Sequence, residues 1–96
     1  MPNVYVVNKC SHDFTRAKEF GKLVYLSEGA MNRYGTNHIH CVMDEVLKDS
    51  NPEDYILPCS MNIMNVIACS IFAAKHGRIN LLLYKNGKYI ERNVML

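Results

Sequence analysis

Tyr55-Ile56-Leu57-Pro58, the apolar segment from Asn62 to His76, and Gly77 followed by Ile79-Asn80-Leu81-Leu82-Leu83-Tyr84 decide the fold class of this chain. The first and last pieces are short runs of aliphatic and aromatic residues, the pattern of strands buried on both faces. Pro58 closes the first run, because it has no amide to give to a central ladder. The middle segment is too long for a strand. Ile63, Met64, Val66, Ile67, Ala68, Cys69, Ile71, Phe72, Ala73 and Ala74 make it a helix that is apolar on nearly every side. Ser60 or Asn62 can open that helix, and Gly77 suits its C-terminal cap. His76, in the last turn, suits the helix's own terminal carbonyls. A strand, a helix and a strand in succession imply a parallel crossover.

The same alternation extends toward the N-terminus. Val4-Tyr5-Val6-Val7 and Leu23-Val24-Tyr25-Leu26 read as strands. Between them Phe14, Ala17 and Phe20 mark one face of a short helix, with Asp13 as N-cap and Gly21 as C-cap. Ala30 to Asn37 reads as irregular or a short helical turn, and Thr36 or Asn37 can cap the next helix. Ile39, Val42, Met43, Val46 and Leu47 form the stripe of that amphipathic helix, stopped by Ser50-Asn51-Pro52. Toward the C-terminus, Asn86-Gly87 is a type I′ hairpin turn, and Tyr89 through Val94 return as an edge strand guarded by Glu91, Arg92 and Asn93. The expected order is β-α-β-α-β-α-β-β. It gives one α/β domain over residues 1–96, a small three-layer sandwich with a mostly parallel sheet and a C-terminal antiparallel hairpin.

Composition narrows the function classes. The chain has 96 residues, 49% of them hydrophobic, and this excludes a disordered tail. The net charge of +2 is too weak for a DNA or RNA polymer. No apolar stretch reaches the roughly 18 residues of a membrane span, and Met1-Pro2-Asn3 does not begin a signal peptide. Cys10, Cys41, Cys59 and Cys69 show no paired spacing, so free thiols and a cytoplasmic location are expected. Cys10-Ser11-His12 and His38-Ile39-His40-Cys41 do not match structural zinc spacings, and neither a metal nor a cofactor is expected. The apolar helix before Gly77 has little polar surface, which points to a homo-oligomer, dimer or larger, with that helix at or near the interface.

In open α/β sheets ligands bind beyond the carboxyl ends of the parallel strands. That rule gathers Asn8, Lys9, Ser11, His12, Asp13, Ser27, Glu28, Asn32, Arg33, Ser60 and Asn62 onto one rim; Tyr34 follows Arg33 in its loop, and Asn65 lies one helical turn after Asn62. Lys9 and Arg33 lie beside expected helix N-termini, where free amides already attract anions, so phosphate is the natural ligand group. Asn8, Ser11, Ser60, Asn62 and Asn65 can orient it, and Tyr34 can stack on a ring. His12, Asp13 and Glu28 supply a possible catalytic acid and base. Neither a Walker A loop nor GxGxxG is present.

Val4-Tyr5-Val6-Val7-Asn8, Leu23-Val24-Tyr25-Leu26-Ser27-Glu28-Gly29 and His76-Gly77-Arg78-Ile79-Asn80-Leu81-Leu82-Leu83 resemble stretches of small phage-encoded Rossmann-like α/β proteins. The layout from Leu57 to Asn65 is similar to Rossmann-like sensor domains that bind cyclic oligonucleotides at a dimer interface. The first expectation is therefore a small homo-oligomeric protein that binds a phosphorylated, nucleotide-type ligand. As a phage anti-defence protein in the host cytoplasm, it would sequester or cleave a host signal nucleotide. The alternatives are a nucleotide or N-glycosidic hydrolase using His12, Asp13 and Glu28, and a protein-binding inhibitor of a host enzyme.

Overall fold

A computed structural model describes residues 1–59 and 61–96. It shows a mixed α/β fold with one five-stranded sheet. The strands are β1 (Asn3–Val6), β2 (Lys22–Tyr25), β3 (Tyr55–Leu57), β4 (Arg78–Lys85) and β5 (Lys88–Met95). Their order across the sheet is β2-β1-β3-β4-β5. β1 runs parallel to β2 and β3, β3 runs parallel to β4, and only β5 is antiparallel. The α-helices are α1 (Thr36–Leu47) and α2 (Asn62–His76).

The expected first helix is replaced by a short 3-10 helix, Thr15–Glu19. Phe14 and Ala17 are buried, but the segment reaches Gly21 before a second α-turn can close. Nucleating an α-helix fixes several residues for one hydrogen bond, so a piece this short gains little from it. Asp13 still organises the start: its Oδ1 accepts both the amide and the hydroxyl of Thr15.

Chain direction decides which face each connection covers. The β1-to-β2 step moves one way along the sheet, and the later parallel steps move the other way. Right-handed crossovers then put the 3-10 helix on one face and α1 and α2 on the opposite face. The two cores obey this division. Tyr5, Val7, Leu26 and Ile56 pack with Ile39, Met43 and Leu47 of α1 and with Met64, Ala68, Ile71 and Phe72 of α2. Val4, Val6, Leu57 and Leu82 pack with Phe14, Ala17 and Tyr89. Burial of each large apolar side chain contributes about 1.5–3 kcal/mol. The apolar character of α2 thus goes largely into its own fold, and Val66 is the large aliphatic residue it leaves exposed.

Local chemistry explains the ends of the elements. α2 stops at Gly77, which adopts a left-handed conformation with φ of 69°. The hairpin turn has positive φ at both Asn86 and Gly87, as the type I′ turn requires. Gly21 acts differently from the C-cap expected of it. Its φ is not positive; instead a Cβ there would lie 2.1 Å from the carbonyl oxygen of Pro2. Lys22 N donates to that same oxygen at 3.0 Å, so β2 enters the sheet through a contact only glycine permits.

The two α-helices are tied at their C-terminal ends. Lys75 Nζ donates to the carbonyl of Lys48 at 3.0 Å, satisfying an end that has no intrahelical donor. Ser50 Oγ donates to Leu47 O at 2.6 Å and lies 2.8 Å from His76 Nε2. With that hydroxyl proton committed, His76 donates from Nε2. The imidazole therefore joins the two helices, rather than meeting only the terminal carbonyls of its own. Burial, followed by the nearby Lys75 charge, lowers its pKa from the ordinary value of 6.5.

Gly21→Ala should lower stability by about 2–4 kcal/mol through the clash with Pro2, read from chemical denaturation. For His76, the folded state holds fewer protons than the unfolded one. Its contribution is therefore present above pH 6.5 and is lost as pH falls toward the depressed folded value. Melting curves between about pH 7.5 and about pH 5 should fall more steeply in the native protein than in His76→Gln, and parallel curves would contradict this assignment.

Candidate functional site

The two ends of the sheet differ in how completely they are closed. At the amino end, Asp54 and Asn80 are both 2% exposed and fully engaged. Asp54 accepts the amides of Asn3 and Asn51, while Asn80 donates to the carbonyls of Pro52 and Asp54 and accepts from Arg78 and Asn93. At the carboxyl end, the chain reverses its progression between β1 and β3, the place where open α/β sheets form a crevice.

A polar partition fills the middle of that crevice. Asn8 is 4% exposed; its Nδ2 donates to Gly29 O at 3.0 Å, and its Oδ1 lies 2.9 Å from Ser27 Oγ. The Ser27 hydroxyl also lies 2.8 Å from Val7 O, so one proton serves two acceptors. Cys59 N donates to Asn65 Oδ1 at 3.0 Å, and the Cys59 thiol points at Asn8 O, 3.5 Å away. These bonds lock the β3-to-α2 turn onto the end of β1. Asn8 and Asn65, expected as ligand contacts, have these polar groups committed to the rim itself. Burial raises the Cys59 thiol above its ordinary value, so it stays protonated and is poorly suited to act as a nucleophile.

On the α-helical side of the partition, Arg33, Tyr34, Thr36, Met61, Asn62 and Ile63 line a cleft of about 490 Å³. Asn32 Oδ1 accepts the Tyr34 amide, and Gly35 N donates to Asn32 O; this double turn projects Arg33 and Tyr34 outward. Tyr34 is 84% exposed. Across the cleft lies the start of α2. The amides of Met64 and Asn65 both reach Met61 O, while those of Asn62 and Ile63 precede any intrahelical acceptor. Among the described residues no side chain caps this end, and its first turn carries no acidic residue.

On the 3-10 side, His12, Asp13, Phe14, Leu57, Pro58, Cys59, Leu82, Leu83, Tyr84 and Tyr89 line a second cleft, of about 400 Å³. The Thr15 hydrogen bonds hold the Asp13 carboxyl below the usual range, so it is ionised at neutral pH. Tyr84 and Tyr89 face each other across the hairpin, with ring centroids 5.3 Å apart in an edge arrangement. Read from sequence alone, both tyrosines are only strand residues. The hairpin turn was the signal that could have paired them, since it sets Tyr84 opposite Tyr89 on one face.

The structure therefore divides the expected rim. Arg33, Tyr34 and Asn62 come together in the first cleft, and His12 and Asp13 in the second. Lys9 and Glu28 form a parallel bridge that extends β1 and β2, and neither lines either cleft. The Lys9 ammonium sits 5.5 Å from the Tyr25 ring centroid, and Tyr25 packs toward Phe14 on the 3-10 side. Ser11 is exposed in the loop before the 3-10 helix. Ser60 lies outside the described residues. His12, Asp13 and Glu28 are thus not gathered in one cleft. Among the described residues, no three His, Cys, Asp or Glu side chains converge as a metal site, and no helix is long and apolar enough to cross a membrane.

Neither a curated protein nor a solved structure matches the chain. A family model does match, from residue 2 to residue 96. With nearly the whole chain covered, the protein belongs to the Phage Pam3 gp32-like protein family, a family of phage proteins.

Proposed function

We propose that this protein binds a small phosphorylated ligand with a ring, of nucleotide type, in the cleft between Tyr34 and the start of α2. The observation that carries this reading is the convergence of Arg33, Tyr34 and the α2 N-terminus, which no described side chain caps, around one 490 Å³ space. Each supplies a different part of such recognition. The free amides and the positive end of the helix dipole favour a phosphate. The Arg33 guanidinium adds charge and a planar pair of donors. Tyr34, almost fully exposed, offers its ring face for stacking.

The strand order supports the same reading. β2-β1-β3-β4 reverses direction between β1 and β3, and open α/β sheets place ligands beyond the strand carboxyl ends at such a reversal. Asn8, Ser27, Cys59 and Asn65 then act as the rigid base that sets the cleft's shape. A phage protein with this site is suited to sequester a host signal nucleotide, a role that needs binding and no catalytic group.

Calorimetric titration tests the proposal with a nucleoside monophosphate, a cyclic dinucleotide, the parent nucleoside and inorganic phosphate. At least one nucleotide should bind more tightly than both the nucleoside and phosphate. Arg33→Ala and Tyr34→Ala should each weaken it by about tenfold, equivalent to about 1.4 kcal/mol, with unchanged thermal unfolding because both residues are exposed. Absence of binding by the folded protein at millimolar nucleotide would overturn the proposal.

A further inference from the structure

The second cleft has a different chemistry from the first. Its floor is Leu57 and Leu82, both almost fully buried, and Phe14, Tyr84 and Tyr89 wall it with aromatic rings. His12 and Phe14 meet edge to face at 6.3 Å, as Tyr84 and Tyr89 do at 5.3 Å. The chain carries 11 Lys and Arg residues, yet none lines this cleft. Its polar groups are the Asp13 carboxylate, the Cys59 thiol, the phenols of Tyr84 and Tyr89, and the His12 imidazole.

Two of these groups have unused capacity. Asp13 Oδ1 is occupied by Thr15, whereas Oδ2 has no partner among the described residues. Tyr89 is only 8% exposed, and its hydroxyl bonds to none of the described residues. That hydroxyl is not sealed in, because among those residues no fully buried side-chain polar atom lacks a partner. The ring is buried while its hydroxyl keeps no described partner, so that hydroxyl can serve a ligand in the cleft Tyr89 lines. Burial raises the Tyr89 phenol above its ordinary value, and the nearby Asp13 carboxylate adds to that. Arg16 and Lys18 act on Asp13 from the 3-10 helix and do not line the cleft.

We propose that this cleft binds a small arylalkyl ammonium, a protonated amine on an apolar body, with the ammonium between Asp13 Oδ2 and the Tyr89 hydroxyl. The apolar body lies on Leu57 and Leu82 among the rings of Phe14 and Tyr84. Ring faces attract a cation electrostatically, and the carboxylate and phenol accept its N–H donors. The volume of about 400 Å³ is within the range of small-molecule sites. This site is independent of the nucleotide cleft, because the two share no lining residue.

Three probes of similar shape and different charge test the proposal on the intact protein: phenethylammonium, 2-phenylethanol and phenylacetate. Calorimetry should show phenethylammonium binding about tenfold or more tightly than 2-phenylethanol, with phenylacetate weakest. Asp13→Asn keeps an Oδ1 acceptor for Thr15 and should remove the preference for the amine over the alcohol. Tyr89→Phe keeps the ring and should weaken the amine severalfold. Equal binding of all three probes would reduce the cleft to an apolar slot and overturn the proposal. So would preference for phenylacetate, no amine binding at millimolar concentration, or an unchanged amine preference in Asp13→Asn. The wild-type probe series decides the question even if a variant fails to fold.

Discussion

One side-chain amide, that of Asn80, holds the sheet together where its backbone ladder is thinnest. β3 and β4 meet in register at Ile56 and Leu81, and β3 itself has only three residues. Asn80 reaches across that seam to the carbonyls of Pro52 and Asp54, and its own oxygen receives Arg78 and Asn93. Asp54 passes the connection on to β1 through the amide of Asn3 at 2.9 Å. Four strands are thereby joined by buried and largely satisfied polar groups. Such groups are costly to leave unpaired, so this geometry tolerates few alternatives.

Because the amino end is closed in this way, the two clefts flanking the polar partition lie at the carboxyl end. The partition of Asn8, Ser27, Cys59 and Asn65 makes the middle of that rim rigid and divides it. On one side a cation, an exposed ring and a helix N-terminus without a described cap suit an anion. On the other, a carboxylate and phenols among aromatic rings suit a cation. The contrast arises from the connections: a two-turn loop and an α-helix border one cleft, and a short 3-10 helix and a hairpin border the other.

Much of the architecture was legible in the sequence because its signals are local. The stripe of Ile39, Val42, Met43, Val46 and Leu47 needs only helical spacing. Asn86-Gly87 needs only its own backbone angles, and the run before Gly77 only its length. The 3-10 helix was less legible, since Phe14, Ala17 and Phe20 have a spacing that both helix types share. Gly21 looked like a cap because its true constraint is Pro2, a residue far along the chain that packs against it. The rim residues were found by a topological rule, and that rule does not say which of them face the same space. Arg33, Tyr34 and Asn62 share a cleft because the Asn32 turn and the α2 start happen to face each other. Asn8 looked like a ligand contact, yet its amide is matched by Ser27 and Gly29 across the β1–β2 seam. The Tyr89 hydroxyl, unbonded among the described residues, was invisible, because no pattern in the sequence states which polar atoms lack partners.

The two-residue hairpin also bears on how the sheet is assembled. Closing Asn86-Gly87 brings Lys85 against Lys88 across a very short loop, whereas the bond from Asn3 to Asp54 spans 51 positions. Loop entropy therefore favours β4 and β5 as the first paired strands. Asn80 and Asn93 stand opposite each other in that hairpin, so the earliest structure already presents the amide that β3 requires. Assembly then becomes a matter of docking onto a prepared edge, and the most distant strands join last.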